Sequence, residues 1–170
     1  MPGGQFKAAL LPSEAAFTAH GREKIELQVS ANPGQPLKPL TKVASGGELS
    51  RISLAIQVIT AEKGEVPTLI YDEVDVGIGG GTAEIVGRQL RALASARQVL
   101  CITHLPQVAA QGVQHLQVSK SVKGGETRAA INLLDDAARV NELSRMLGGV
   151  EITQQTTAHA EEMITRAQRG

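Results

Sequence analysis

The sequence Ser45-Gly46-Gly47-Glu48-Leu49-Ser50-Arg51 is the most informative part of the chain. A hydroxyl, two glycines and an acid stand before an apolar run with helical spacing, which predicts a helix at residues 46–63. Ser45 can cap this helix, and Glu48 occupies the acid position of a capping box. Free N–H groups at a helix start attract phosphate, and paired glycines allow close approach to the backbone. The sequence therefore predicts a phosphate contact, with a purely structural cap as the alternative.

Two apolar strands follow this helix. Residues 68–71 lead into Asp72 and Glu73, and residues 98–103 lead into His104, with a helix predicted between the strands at 83–95. Such a strand–helix–strand unit predicts parallel pairing, and both strands are apolar enough to be covered on two faces. Ligands bind at the carboxyl ends of parallel strands, so the acids and the histidine are expected at one edge. The residues expected to face the core from the two helices are Leu49, Ile52, Ile56 and Ile59, then Val86, Leu90 and Leu93.

The two acids and the histidine are the candidates for catalysis. Asp72 and Glu73 are neighbours on a strand and point to opposite faces, so they serve different roles. One is suited to hold Mg²⁺, and the other to orient or deprotonate a water molecule. His104 is suited to contact a terminal phosphate or that water. The alternatives are two solvated acids at a strand end and a hydrogen-bonded structural histidine.

The rest of the chain is less specific. Strands are expected at 5–10 and 24–30, a proline-rich loop at 31–40, a hairpin at 113–120 and 127–134, and helices at 137–147 and 154–169. Residues 77–82 imitate a dinucleotide fingerprint, but Thr82 replaces its last small residue and no acid ends the next strand. Asp75 and the glycines of this segment are therefore interpreted as a surface loop. Cys101 lies within a buried strand and is interpreted as a packed thiol.

Composition narrows the function classes. The 170 residues include 17 basic and 17 acidic residues, and only 2% are aromatic. The balanced charge and the scarcity of stacking rings do not favour direct DNA binding by this chain. A single cysteine fits a reducing compartment, and no apolar run reaches the roughly 20 residues of a membrane helix. We therefore expect a cytoplasmic protein without a membrane partner.

Four segments together resemble the RecN family of bacterial DNA-repair proteins, an SMC-like group of ABC-type ATPases. They are residues 32–51, 72–78, 103–109 and 146–149. The resemblance extends over residues 24–163 and implies an α/β fold, the C-terminal lobe of an ABC/SMC-type P-loop ATPase head with a mainly parallel sheet flanked by helices. It implies a single domain at 1–170. Its parts would be 1–40 with strands and the proline-rich loop, 41–112 with the signature helix and both catalytic strands, and 113–170 with the hairpin and C-terminal helices.

The resemblance assigns the glycine motif to binding ATP in trans. Ser45, Gly46, Gly47 and Glu48 would form the signature motif that contacts the terminal phosphate of ATP held by a second head. No Gly-x-x-x-x-Gly-Lys-Ser/Thr sequence occurs in the chain, so the Walker A strand and loop would come from an N-terminal half of the head. The isolated chain is therefore expected to be inactive and to expose apolar sheet surface where that strand would pair.

The resemblance also assigns the residues at the strand ends. Asp72 would be the Walker B acid that positions Mg²⁺, and Glu73 would be the catalytic base. His104 would be the switch histidine, and Asp75 would belong to the loop that crosses the dimer interface. ATP and Mg²⁺ would bind only in the assembled head.

The implied function is ATP-dependent head dimerisation in DNA double-strand break repair and recombination. The implied partners are the N-terminal half, a second head and, for the intact protein, DNA, in the bacterial cytoplasm and associated with the nucleoid. Two alternatives stay open: a catalytically silent interaction fragment, and the head of another SMC-like or transporter-type ATPase. The Leu-Pro-Gln-Val-Ala sequence after His104 disfavours the transporter type.

Overall fold

The computed structural model describes residues 3–12, 19, 21–30, 32–42, 46–63, 66–72, 75, 77–149 and 151–169. Residues 46–51, 61–63 and 123 are described by their backbone alone. The chain divides into two compact units, Met1–Ser53 and Leu54–Gly170. Among the described residues, no helix is long and apolar enough to cross a membrane.

An antiparallel sheet of three strands forms the regular part of the first unit. Strand β1 (Gln5–Pro12) pairs along its full length with β2 (Glu23–Ser30), which confirms both predicted strands. Strand β3 (Lys38–Pro39) pairs with the other side of β2, and a 3₁₀ turn follows at Leu40–Lys42. The predicted proline-rich loop therefore contains a short strand, because the edge of a sheet tolerates proline.

A parallel pair of strands is the centre of the second unit. Strand β4 (Thr68–Asp72) pairs with β5 (Gln98–Ile102), and α2 (Gly80–Leu93) connects them. The predicted strand–helix–strand unit is confirmed. Because Asp72 lies opposite Ile102, both strands end at the same edge.

Helices pack on one face of this pair. The buried residues of α2 are Ala83, Val86, Gly87, Leu90 and Leu93, which confirms the predicted face. They form one core with Tyr71 of β4 and with Leu54 and Val58 of helix α1 (Gly46–Lys63). The opposite face of the strands is open, with Ile70 68% exposed and Ile102 57% exposed. The prediction that both faces are covered is therefore wrong for the described part of the chain.

The side of α1 that is buried differs from the predicted one. Leu54 and Val58 are buried, although neither was in the predicted stripe. Of the predicted residues, Ile52 is buried, Ile56 is half-buried and Ile59 is 61% exposed. The side chain of Leu49 lies outside the described part of the chain. Apolar residues occur on several sides of this helix, so their spacing does not single out one face.

The C-terminal part adds a hairpin and three helices. A short helix, α3 (Pro106–Ala109), precedes the hairpin of β6 (Leu116–Lys123) and β7 (Glu126–Leu133). Helices α4 (Asp136–Gly148) and α5 (Gln154–Arg169) follow and pack against each other. The hairpin and the two longer helices were predicted, with bounds that differ by a few residues.

Glycines end two of these elements. Gly124 and Gly125 have φ angles of 63° and 83°. A two-residue hairpin turn with positive φ at both positions requires residues of this kind. Gly149, with φ of 64°, follows the last turn of α4 and donates its N–H to the carbonyl oxygen of Arg145.

The hairpin exposes an apolar face. The cross-strand pairs on this face are Leu116 with Leu133 and Val118 with Ile131, and all four side chains are more than half exposed. The open face of β4 and β5 is a second exposed apolar surface, whereas exposure at the border where a Walker A strand would pair stays a prediction.

Candidate functional site

Asp72 and His104 lie at one edge of the parallel pair. Asp72 is the last residue of β4 and lies opposite Ile102, the last residue of β5, so the Thr103–His104 segment begins directly beside it. Asp72 is exposed, and the side chain of His104 is 71% exposed. The edge therefore offers a carboxylate and an imidazole to a ligand, which confirms their predicted common location.

Asp75 is buried beside this edge, at 1% exposure. Its Oδ2 accepts hydrogen bonds from the Thr103 hydroxyl and from the backbone N–H of His104, the latter at 3.1 Å. Its Oδ1 lies 3.5 Å from Nδ1 of His104. The interpretation of Asp75 as part of a surface loop is wrong. A carboxylate is buried only where donors satisfy it, and the segment after β5 supplies those donors.

Thr103 links the buried carboxylate to the next helix. While its hydroxyl donates to Asp75, the same oxygen accepts the N–H of Leu105 at 3.0 Å. Leu105 precedes the first residue of α3, Pro106, where the missing N–H of proline costs no helical hydrogen bond. Sequence reasoning missed Thr103, although a hydroxyl three residues before the first residue of a helix is a recognisable turn signal.

A turn connects Asp75 to α2. The N–H of Ile78 donates to the carbonyl oxygen of Asp75 at 3.3 Å, and Gly77 has a φ of 74°. Positive φ at the third position of a turn is the type II pattern that favours glycine. Ile78 packs against the core of the second unit. Chain geometry therefore accounts for Gly77 without a dinucleotide.

Cys101 is a half-buried free thiol in β5. Burial raises its pKa to about 11, and the negative charges of Asp75 and Asp72 act in the same direction. The thiolate is the nucleophilic form, so a thiol with this pKa is inert near neutral pH. The prediction of a packed thiol is confirmed.

Asp72 is the described residue best suited to hold Mg²⁺. This ion prefers oxygen ligands and keeps several waters, so a single carboxylate together with phosphate oxygens suffices from the protein. The exposed position of Asp72 at a strand end fits this role. Within the described residues, no group of three or more His, Cys, Asp and Glu side chains converges.

The other predicted site residues are described only in part. Ser45 and Glu73 lie outside the described residues. Gly46 is the first residue of α1, and the backbone of Gly47 and Glu48 continues this helix. The glycine motif thus stands at a helix start, as predicted, and its role in binding stays a prediction.

Two arginines that sequence reasoning missed hold the segment after α3. Arg91 of α2 donates to the carbonyl oxygen of Gln111 at 2.9 Å. Arg139 of α4 is buried and donates to the carbonyl oxygens of Ala110, Gly112 and Val113. Burial lowers the pKa of Arg139 below its ordinary value. The four successive carbonyl oxygens of residues 110–113 are therefore satisfied by two guanidinium groups.

Several known proteins have sequences similar to this chain over most of its length. The chain is 52% identical over 167 residues to the DNA repair protein RecN of Vibrio cholerae, an alignment that covers 98% of this chain and 30% of the relative. The chain is homologous to part of RecN. RecN of Haemophilus influenzae is 47% identical over 164 residues, and RecN of Bacillus subtilis is 43% identical over 151 residues. The alignments cover 96% and 89% of this chain but only 29% and 26% of those RecN proteins. No protein-family model matches the chain.

Solved structures share the fold of this RecN-like chain. The Smc head domain with a coiled coil and joint from Pyrococcus yayanosii has a TM-score of 0.63 at 20% identity, covering 84% of this chain and 26% of that one. A structure from work on ATP-driven dimerization and DNA-stimulated activation of SMC ATPases has a TM-score of 0.62 at 19% identity, covering 86% and 83%. Identity this low establishes the fold alone. The predicted fold class, an α/β fold shared with SMC head domains, is confirmed.

Proposed function

We propose that this RecN-like chain is the C-terminal half of an ATP-binding and ATP-hydrolysing head that acts in DNA double-strand break repair and recombination. The observation that carries the proposal is the parallel register of β4 and β5, which brings Asp72 and His104 to one exposed edge. The chain spans 30% of the length of RecN from Vibrio cholerae, so the phosphate-binding half would lie in the remainder of a protein of that length.

Each residue at the edge has a role in this proposal. Asp72 would hold Mg²⁺, which when bound neutralises charge on the phosphate oxygens. Glu73 would orient or deprotonate the attacking water, and His104 would contact that water or the terminal phosphate. The loop containing Asp75 would approach the second head.

The glycine motif has its role across the dimer. The backbone N–H groups at the start of α1, with the Ser45 hydroxyl, would contact the terminal phosphate of ATP bound to the second head. Gly46 and Gly47 would allow that close approach. Two heads would then be held together by ATP and separate after hydrolysis.

The open apolar surfaces support an N-terminal half as the first partner. Ile70, Leu100 and Ile102 share the open face of the parallel pair with Asp72, and the three side chains are exposed. Parallel strands are normally covered on both faces, and apolar patches on a sheet are common binding surfaces. Contact with DNA would come from other parts of the intact protein, in the bacterial cytoplasm close to the nucleoid.

An ATPase assay with two separately expressed halves tests the proposal. The isolated chain is expected to be inactive, and a mixture with the N-terminal half is expected to hydrolyse ATP. Glu73→Gln in the mixture should slow turnover by roughly 10²–10⁴-fold while the heads still pair. Glu84→Gln, which changes a half-buried carboxylate in an ion pair of α2, is the matched control and should leave turnover unchanged.

Three results would contradict this assignment. Turnover by the isolated chain would remove the need for a second half. Unchanged turnover in Glu73→Gln would reject this residue as the base. Two halves that bind each other but never hydrolyse ATP would favour the alternative of a silent interaction fragment.

A second experiment isolates the role of the glycine motif. Replacing Ser45 with tyrosine should block ATP-dependent pairing of assembled heads, because the larger side chain fills the space meant for phosphate. Binding of nucleotide to the N-terminal half should persist. Sedimentation with ATP measures pairing, and pairing as strong as that of the unsubstituted protein would exclude the motif from the interface.

A further inference from the structure

We propose that Asp75 is a positioning residue that sets the ring orientation and the tautomer of His104. Its buried carboxylate has no role in catalysis under the function proposed above, yet it faces the histidine directly. The predicted effect of this pair on turnover rests on that proposed function. The predicted effect on the tautomer of His104 is independent of it.

Both oxygens of the carboxylate face the segment after β5. Oδ2 accepts the backbone N–H of His104 at 3.1 Å and the hydroxyl of Thr103. Oδ1 lies 3.5 Å from Nδ1 of the same histidine. One buried group therefore accepts the backbone N–H of His104 and places a carboxylate oxygen beside Nδ1 of its ring, although the side chain is 71% exposed.

The charge of Asp75 determines which ring nitrogen carries the proton. An ionised carboxylate only accepts hydrogen bonds, so the nitrogen that faces it is favoured as N–H. In the neutral ring this places the proton on Nδ1 and leaves a lone pair on Nε2. Free histidine favours the opposite tautomer, with the proton on Nε2. The structure thus assigns to His104 the less common tautomer.

This tautomer distinguishes between the two roles open to His104. A neutral ring with a lone pair on Nε2 can accept a hydrogen bond from water but cannot donate one to a phosphate oxygen at that atom. It would donate there only as imidazolium, with both nitrogens protonated. In the neutral state, His104 would therefore hold the attacking water rather than the terminal phosphate.

The tautomer can be read directly by NMR. The ¹⁵N shifts of the two ring nitrogens would be recorded on the 170-residue chain at about pH 8.5, well above the ordinary histidine pKa of about 6.5. His104→Gln identifies the signals, since three other histidines are present. The expected result is a protonated Nδ1 and an unprotonated Nε2 in the unsubstituted chain. The reverse pattern would overturn the proposal without the need for any variant.

Asp75→Asn provides the sharpest variant. The position of Oδ2 must remain an oxygen, since it accepts from both Thr103 and the backbone of His104. The amide nitrogen then takes the place of Oδ1 and presents an N–H to Nδ1. The tautomer should therefore switch to a protonated Nε2. Unchanged ring shifts in a folded Asp75→Asn chain would contradict the proposal.

Thr103→Val is the matched control for loop geometry. It removes the hydroxyl that Asp75 holds, keeps the branched shape, and leaves the carboxylate facing His104. The ring shifts should stay those of the unsubstituted chain. A switch as large as that of Asp75→Asn would mean that loop path, and not the carboxylate, sets the tautomer.

Kinetics of the assembled protein give the functional consequence. Asp75→Asn should lower kcat by roughly 10–100-fold, as removing the partner of a functional histidine does in metal sites, with little change in KM. In a His104→Gln background it should lower kcat no further, because Asp75 acts through the histidine. If the two substitutions lowered kcat additively, Asp75 would not act through His104. If the unsubstituted assembly has no ATPase activity, the proposed function fails, and the NMR result alone decides the tautomer.

Discussion

Nη2 of Arg139 on α4 lies 2.8 Å from the carbonyl oxygen of Ala110, directly after α3. The same side chain also donates to the carbonyl oxygens of Gly112 and Val113. Carbonyl groups at the end of a helix have no partner within the helix, and burial would make them costly without a donor. A residue of α4 therefore fixes the path by which the chain leaves the His104 edge.

Arg139→Met should lower the free energy of unfolding by roughly 3 kcal/mol, because it keeps an apolar stem but leaves three carbonyl oxygens without their charged donor. Urea denaturation of both proteins measures the difference. Arg88→Met is the matched control, since Arg88 makes only an exposed ion pair with Glu84 at 3.7 Å, and should cost less than about 1 kcal/mol. Equal losses in the two variants would contradict the role assigned to Arg139.

Gly87 of α2 lies close to α3 and to the residue that follows its end. A Cβ atom there would lie 2.7 Å from Cγ of Gln111 and 3.2 Å from both Cα of Val108 and the carbonyl oxygen of Gln107. Gly87→Ala should therefore lower the free energy of unfolding by about 1–3 kcal/mol, because the backbone of α3 must move.

Gly81, on the same helix, provides the control for Gly87. A Cβ atom at Gly81 meets nothing within 4 Å, so Gly81→Ala should be neutral or stabilising by up to about 1 kcal/mol. Thermal unfolding measures the difference. Gly87→Ala should lower Tm relative to the unsubstituted chain, and Gly81→Ala should raise it or leave it unchanged. A stable Gly87→Ala protein would mean that α3 adjusts without cost.

Periodicity predicted the parts of the fold that have a single apolar face. Val86, Leu90 and Leu93 recur at helical spacing, and the one other large apolar residue of α2 is Ile85, so the buried side of this helix follows from the sequence. In α1, apolar residues occur on several sides, and Ile59 is exposed where burial was predicted. Ile70 is exposed for another reason: an apolar strand indicates that a face is built for burial, but not which part of a protein covers it.

At the candidate site, too, one part was predictable from the sequence and another part was not. The common edge of Asp72 and His104 follows from parallel pairing, which local pattern predicts. The burial of Asp75 depends on donors that lie 28 and 29 residues away in the chain. Spacing along a sequence carries no information about such partners, so the buried pair emerged only from the three-dimensional structure.

Cys101 is expected to react slowly with alkylating reagents until the pH approaches 11. Burial, followed by the charges of Asp75 and Asp72, raises its pKa from 9.0 to about 11. The thiolate fraction near pH 8 should then be roughly 100-fold below that of an ordinary cysteine. Because Cys101 is the single cysteine, the rate of iodoacetamide labelling against pH reports on this site alone.

The unfolded chain is the control for the Cys101 titration. In concentrated urea the midpoint of labelling should return to near 9. The unfolded state loses its thiol proton first, so the free energy of unfolding should fall as the pH rises from about 9 to about 11. A native midpoint near 9 would mean that Cys101 is neither buried nor close to the two carboxylates.

Glu142 should make the protein sensitive to acid. Its carboxylate is buried and accepts two hydrogen bonds from Arg145, at 2.6 and 2.9 Å, and one from Gln117 of β6 at 2.6 Å. The hydrogen bonds from Arg145 are the main cause that lowers the pKa of Glu142 below 4.5, and the bond from Gln117 adds to it. A carboxyl group with a lowered folded-state pKa stabilises the protein above its ordinary pKa, and this contribution is lost as the pH falls through the folded value.

Glu142→Gln tests this dependence because it keeps the shape and removes the charge. At pH 7 the variant should be less stable by about 1 kcal/mol, the difference between charged and neutral acceptors. Between about pH 5 and pH 3, urea denaturation should show the free energy of unfolding falling more steeply for the unsubstituted protein than for the variant. Burial lowers the pKa of His115, and the charge of Glu142 partly offsets this shift. Both curves are therefore compared in a His115→Gln background, where the difference belongs to Glu142. Glu162→Gln, which changes an exposed ion pair with Arg166, should reproduce the unsubstituted curve. Parallel curves for Glu142→Gln would show that the ion pair between Glu142 and Arg145 is not formed.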